Sequence, residues 1–226
     1  MTIDRVPWNL RDVGLASAVV VAGLVVSVFV FGAVYVSRDG DPTTRDTLVV
    51  AAVLSGLMVA GAWVFGALKY HVGWTAFGLV PASGWRAYGV AALALITSLM
   101  FTGLYGAVVS AAGVEVLEPP EVPEVFLGEG LGLLGTVFVL GFVGPFAEEI
   151  FFRGFIYGAL RNRFTPYGAI AISAAVFAVL HADLGVLLPI FGTGLALAWV
   201  YEKTGSLWPP LAAHTAQNLL ALSVSV

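Results

Sequence analysis

Cysteine is absent from the 226-residue chain, which excludes disulfide scaffolds, Cys–zinc sites and thiol nucleophiles. Charge is scarce: Asp, Glu, Lys and Arg make up 11% of the residues, against about 25% in soluble domains. A basic surplus is lacking too, since 14 acidic residues face 10 basic ones for a formal charge of −4. Without a basic face, nucleic acid is excluded as a partner. What fills the chain is 59% hydrophobic residues, with a mean hydropathy of +0.96. Such a chain cannot clothe itself in ionic surface and reads as a polytopic membrane protein, with membrane lipids as its surroundings.

Seven uncharged stretches carry that hydropathy: Val13–Ser37, Leu48–Leu68, Ala87–Val114, Gly130–Ala147, Phe164–Leu180, Leu184–Tyr201 and Ser206–Val226. A helix crosses a hydrocarbon core of about 30 Å with roughly 20 residues. The fold class is therefore all-α: a transmembrane helical bundle of about seven spans, six to eight, forming one integral membrane domain over residues 1–226. Apolar residues resume after the fourth stretch and continue through Leu160, interrupted by Glu148, Glu149 and Arg153. Gly130–Leu160 is expected to be one long or broken helix with charges inside the membrane. The first stretch is too long for a signal-peptide core of about 7–15 residues and is expected to remain as a span. Glu115–Glu129, with five Glu and three Pro, reads as an aqueous loop, and Trp74–Trp85 as a segment lying along an interface.

Orientation follows from Lys and Arg. With the N-terminus cytoplasmic, Arg5, Arg11, Lys69, Arg86, Arg161, Arg163 and Lys203 fall inside, and only Arg38 and Arg45 outside. The positive-inside rule favours that arrangement in a plasma or inner membrane, with the C-terminus outside after seven spans.

An ionisable residue at mid-membrane costs at least about 2.5–3.5 kcal/mol on insertion scales and is a functional candidate by default. Three clusters qualify: GPFAEEIFFRG with Glu148, Glu149 and Arg153; FAVLHAD with Phe177, His181 and Asp183; and AAHTAQN with His214 and Asn218. Glu149 and Arg153 are four apart and share a helix face, as do Phe177 with His181 and His214 with Asn218. Glu148 lies about 100° round the helix from Glu149, so one carboxylate can pair with Arg153 while the other meets a different environment. At 1.5 Å per residue, Glu148, His181 and His214 lie roughly 18, 22 and 13 Å from the cytoplasmic boundary. Tilt absorbs such differences, so the three clusters can converge on one site.

Such a site supports water activation. A carboxylate and a His holding one water make a general base, and a second His with an Asn one turn away supplies donors for a developing oxyanion. The alternative use of the same side chains is a divalent metal, such as zinc, held by Glu148, His181 and His214. The residue types alone fit both uses. No Ser or Thr stands in a nucleophile motif, so hydrolysis by activated water is the reaction type. Bland readings stand beside these: an ion pair of Glu149 with Arg153 that fixes packing, interhelical hydrogen bonds from either His or from Asn218, packing for Phe177, and a helix-end role for Asp183. Gly144–Pro145 and Pro209–Pro210 are expected to bend their helices so that the polar groups meet.

EEIFFR at Glu148–Arg153, FAVLH at Phe177–His181 and HTAQN at His214–Asn218, in that order and on apolar helices, resemble the CPBP intramembrane protease family. That family includes the type II CAAX prenyl endopeptidases and bacteriocin-processing or self-immunity proteins. The likeness covers about residues 130–220, the motif-bearing helices. It implies an intramembrane endopeptidase acting on a peptide or lipidated protein, with CAAX-type processing of a prenylated C-terminus as one candidate reaction. By the same resemblance, Glu148 with His181 activates the water, His214 and Asn218 stabilise the oxyanion, and Glu149 and Arg153 order the site or contact substrate; a glutamate-type mechanism without metal, no cofactor being required, is the first choice it implies. Two other classes compete: a proton- or ion-coupled transporter, which an inverted repeat with broken helices in both halves would support, whereas the polar clusters lie only in the C-terminal half, and a non-proteolytic immunity or binding protein of the same fold. Oligomeric state is left open.

Overall fold

The computed structural model describes residues 5–38, 43–120, 123–126 and 129–224. Among them every regular element is a helix, and the seven uncharged stretches are seven helices. We number them α1 (Leu10–Arg38), α2 (Thr44–Leu68), α3 (Trp85–Ala112), α4 (Leu131–Arg161), α5 (Pro166–Val179), α6 (Leu184–Thr204) and α7 (Trp208–Ser223). The chain is a multi-pass helical membrane protein. Five helices are long and apolar enough to span: α1 over Leu10–Val34, then α2, α3, α4 and α6. The helices α5 and α7 have 14 and 16 residues, so each rises only about 21–24 Å. Of the acidic loop, residues 121–122 and 127–128 lie outside the described residues, and Glu115–Leu117 forms a single 3₁₀ turn.

Helix ends follow local chemistry. Thr43 and Asp46 form a reciprocal capping box that starts α2. Thr165 accepts from Gly168 N–H ahead of Pro166 at the start of α5. Asp183 accepts from the N–H groups of Gly185 (2.8 Å) and Val186 (3.3 Å), so it caps α6, the helix-end role read from the sequence.

The helix α4 is the axis of the bundle. It runs unbroken, but Val139–Val143 and Glu149–Tyr157 are wound as π-helix. All nine residues Glu149–Tyr157 are buried, so packing surrounds this stretch on every side. Phe151, Phe152 and Phe155 join Trp8, Phe77, Tyr157 and Phe177 in an aromatic core. Phe152 meets Phe177 edge-on at 4.9 Å, and Trp8 stacks on Phe77 at 4.5 Å. Phe77 therefore anchors the Trp74–Trp85 segment inside the protein, while Trp74 and Trp85 keep its ends exposed. Its 3₁₀ turn plugs the core.

The expected bends are partly corrected. Pro145 does follow the first π segment, whose irregular winding it reinforces by lacking an N–H. Pro209 and Pro210 instead occupy the first turn of α7, where a missing N–H costs nothing, so they start that helix and do not bend it.

Candidate active site

The wide winding of α4 leaves the Leu140 carbonyl without a helical partner, and side chains from elsewhere in the chain bond to this and two other α4 carbonyls. Gly144 N–H reaches back to Val139 O, and Pro145 has no N–H, so the Leu140 carbonyl is orphaned. Asn218 Nδ2 donates to it at 2.9 Å. Ser173 Oγ donates to Phe152 O at 3.3 Å, and Trp8 Nε1 to Phe155 O at 2.9 Å. Three elements far apart in sequence are thus fastened to α4 around its charged stretch.

Glu149 and Arg153 sit on one face of the π segment, where the wider turn brings residues four apart closer to alignment. Arg153 Nη1 meets Glu149 Oε1 at 2.9 Å, both side chains being 1% exposed. The guanidinium carbon lies 4.4 Å from the Phe177 ring centroid, so an aromatic face covers the cation. Glu149 Oε1 also accepts from His214 Nδ1 at 2.9 Å. A carboxylate accepts, so Nδ1 carries the proton and Nε2 is the free ring nitrogen. That nitrogen points to Glu148, with 3.6 Å to its Oε2. His214 is therefore held between the two adjacent carboxylates, in the division of roles the helix geometry predicts: Glu149 buried and paired, Glu148 24% exposed.

His181 takes its pose from the end of α5. Its own N–H and that of Ala182 tighten onto Ala178 O and Val179 O, which frees the Phe177 carbonyl. His181 Nδ1 donates to that carbonyl at 2.8 Å, and the imidazole packs edge-on to the Phe177 ring at 4.8 Å. Again Nε2 is left as the available nitrogen. Ala182 then turns the chain in the left-handed region, φ +53°, into the Asp183 cap.

Glu148, His181 and Asn218 line one cavity of about 350 Å³, whose far wall is α2. The structure brings the three motifs together in this way: Glu148 and Asn218 at the cavity directly, His181 beside them, and Glu149, Arg153 and His214 buried behind. Phe177 is the packing hub expected of it, touching Arg153, Phe152, His181 and His214. One pairing differs from that implied by the resemblance: the imidazole in contact with Glu148 is His214, and Asn218 spends one donor on the Leu140 carbonyl. A larger apolar groove of about 700 Å³, between α3, α5 and α6, contains none of these residues. Among the described residues no three His, Asp or Glu side chains converge as one ion would require, so the trio Glu148, His181 and His214 does not form a ready metal cage.

Sequence reading missed a second charged centre. Asp12, fully buried at the start of α1, accepts from Lys69 Nζ, from Tyr70 Oη at 2.7 Å and from Asn9 N–H at 3.1 Å. The first uncharged stretch begins one residue after Asp12; a lone acid beside an apolar run is the signal that could have found it. Arg161 likewise clamps Glu202 through Nε at 3.0 Å, with Tyr157 Oη on the same carboxylate at 2.6 Å, tying α4 to α6.

The fold and this centre define a polytopic helical membrane protein with a buried Glu–Arg–His cluster beside a cavity. Residues 130–220 match the family model described as Type II CAAX prenyl endopeptidase Rce1-like. The chain is 39% identical over 82 residues to "Putative membrane peptidase YdiL" of Bacillus subtilis, covering 36% of this chain and 34% of that one. It is 30% identical over 90 residues to UPF0177 protein YxdF of Lactococcus lactis, covering 39% and 49% of the two. To the membrane-embedded CAAX protease MroQ of Staphylococcus aureus it is 24% identical over 156 residues, covering 66% of this chain and 56% of the relative. The matches thus span from about a third to just over half of the relatives' lengths. No solved structure matches the chain. The likeness read from the three motifs is a family likeness of the segment that builds the cluster.

Proposed function

We propose that the protein is an intramembrane endopeptidase that hydrolyses a peptide bond with a water activated by Glu148. The observation that carries this reading is the unequal placement of the two carboxylates. Glu149 is sealed and committed to Arg153 and His214, whereas Glu148 opens onto the cavity that His181 and Asn218 also line. Glu148 takes a proton from the water as its oxygen adds to the carbonyl carbon; the C–N bond then breaks, and that proton passes, directly or through His214 oriented by Glu149, to the leaving amine. The second N–H of Asn218 remains to donate to a developing oxyanion, while His181 Nε2, unprotonated as Nδ1 donates to the Phe177 carbonyl, accepts from the water, or donates to the oxyanion once the ring is imidazolium. No step is routed through a metal, because the donor set does not close around one; a chelator arm tests this directly.

The substrate is a peptide or lipidated protein reached from within the membrane, CAAX-type C-terminal processing being the candidate that the Rce1-like family and the name of MroQ supply. We read the N-terminus as cytoplasmic, with seven of the nine flanking Lys and Arg residues on that side.

The test is cleavage of a quenched CAAX-type peptide panel by purified protein, wild type beside Glu148→Ala, with and without chelator. Cleavage lost in Glu148→Ala and unaffected by chelator is the expected result. Cleavage that chelator abolishes moves Glu148, His181 and His214 to metal ligands. Cleavage that persists in Glu148→Ala overturns the assignment.

A further inference from the structure

We infer that α2 supplies the specificity wall of this cavity and selects a substrate with an apolar side chain beside the scissile bond, a reading that rests on the endopeptidase function proposed above. The catalytic motifs all lie within the segment 130–220, whereas α2 lies outside it, so nothing in the family likeness assigns α2 a role. Ala51, Leu54, Ser55 and Met58 nevertheless line the same cavity as Glu148. Their spacing of three, four and seven is one face of a helix, so the wall is a continuous strip and not a chance neighbour.

That strip is apolar in effect. The Ser55 hydroxyl donates back to the Ala51 carbonyl at 2.8 Å, which spends its donor within α2. Leu140, Phe152 and Leu180 complete the apolar lining, leaving Glu148, His181 and Asn218 as the polar side. A carbonyl carbon placed for water held at Glu148 presents one flanking side chain to α2. A polar side chain there would lose its hydration without finding a partner. An apolar one gains the burial. The volume of about 350 Å³ sits at the low end of ligand-sized cavities, roughly 300–1,000 Å³, and admits a short peptide stretch, not a long chain. Within the strip Ala51 leaves space at one end, and Met58, unbranched and adaptable, bounds the other.

The experiment uses the full chain in lipid nanodiscs with a mixture of peptides, cut sites mapped by mass spectrometry. A series varied only as Ala, Val, Leu and Phe on each side of the mapped bond then gives kcat/KM ratios. Ala51→Leu, which fills the cavity end, is expected to shift the preference towards smaller side chains. Met58→Ala, which opens the other end, is expected to shift it towards larger ones. A methylene-scale change in an apolar pocket is worth roughly 10-fold or more in such ratios. Val53→Leu, on the lipid-exposed side of α2, is expected to leave the ratios unchanged. Ratios unmoved in both cavity variants, with Glu148-dependent cleavage intact, overturn the specificity wall and leave the endopeptidase standing. Cleavage that is absent in wild type, or that persists in Glu148→Ala, overturns both. Met58→Leu, close in volume, keeps the comparison readable where either larger change prevents folding.

Discussion

Remove the Glu149 charge and the Arg153 guanidinium is stranded in the core; remove the guanidinium and the carboxylate is stranded. Breaking one side of a buried ion pair costs about 3–5 kcal/mol, so Glu149→Gln and Arg153→Met should each destabilise by that amount. The pair is thinly bonded, however. Only Nη1 and Oε1 meet, while Arg153 Nε and Nη2 and Glu149 Oε2 have no hydrogen-bond partner within the protein. Replacing both together forfeits a single charge-assisted hydrogen bond, worth about 1.5–3 kcal/mol, and relieves two desolvated charges. The amide oxygen that Glu149→Gln introduces can still accept from His214 Nδ1. The double variant is therefore expected to be at least as stable as the better single variant, giving a coupling of about 3 kcal/mol, more than a hundredfold in the folding constant. Reversible unfolding in mixed detergent micelles measures the cycle. Single costs that simply add in the double variant would refute mutual dependence. Activity separates the roles further: a neutral amide in place of the Glu149 carboxylate holds the imidazole but does not stabilise its protonated form. The folded double variant should then lose roughly 10²-fold or more of Glu148-dependent turnover.

Three more outcomes follow from named contacts. Asn218→Leu leaves the Leu140 carbonyl orphaned inside the bundle, and the same micellar unfolding should show a loss of about 1–3 kcal/mol. Gly194→Ala places a Cβ 2.9 Å from the Ala174 backbone where α5 and α6 touch, and overpacking of this kind costs about 1–3 kcal/mol; Gly14→Ala, with nothing within 4 Å, is the control that should show no steric cost. Hydrogen bonding to Asp12 raises Lys69 above its ordinary 10.5 and Tyr70 above 10.0. Both are bound protonated, so their contribution is fully present below those values and is lost as pH climbs through the raised ones. Thermal midpoints should show no step from this cluster near neutral pH, and a fall at strongly alkaline pH that Lys69→Met lessens and Lys69→Met with Tyr70→Phe removes.

The class of fold was legible because membrane helices announce themselves by composition: stretches without charge became helices nearly end for end. The clusters were legible for the opposite reason, since EE, R, H and HxxxN interrupt that composition where interruption is expensive. Spacing alone separated the two carboxylates, and the structure keeps them apart in the same way. What spacing could not supply was winding. Assigning Glu148 to a particular imidazole depends on how many residues a turn holds, and nothing in EEIFFRGFIY states that it is wound wide. The α2 wall was illegible for a different reason: Ala51, Leu54 and Met58 are ordinary membrane-helix residues, and only tertiary contact distinguishes their face from the lipid-facing one.

The wide winding also links stability to the site. A π segment normally weakens a helix, because it exposes carbonyls that must be satisfied where no water is at hand. In α4 the Leu140 carbonyl draws in Asn218, and Ser173 and Trp8 add donors to the Phe152 and Phe155 carbonyls, the latter also accepting from Gly158 N–H. Those bonds pin α7, α5 and the N-terminal segment to one axis, and α7 and α5 are the helices that carry His214 and the Phe177–His181 pair. The two shortest helices are thereby fixed to α4 by polar contacts beside the cluster. A regular α4 would not call for the Asn218 bond, and α7 would keep the Glu149–His214 hydrogen bond with apolar packing to set its rotation. The irregularity adds a second polar tie, one turn from the first, that fixes how α7 presents His214 to the centre.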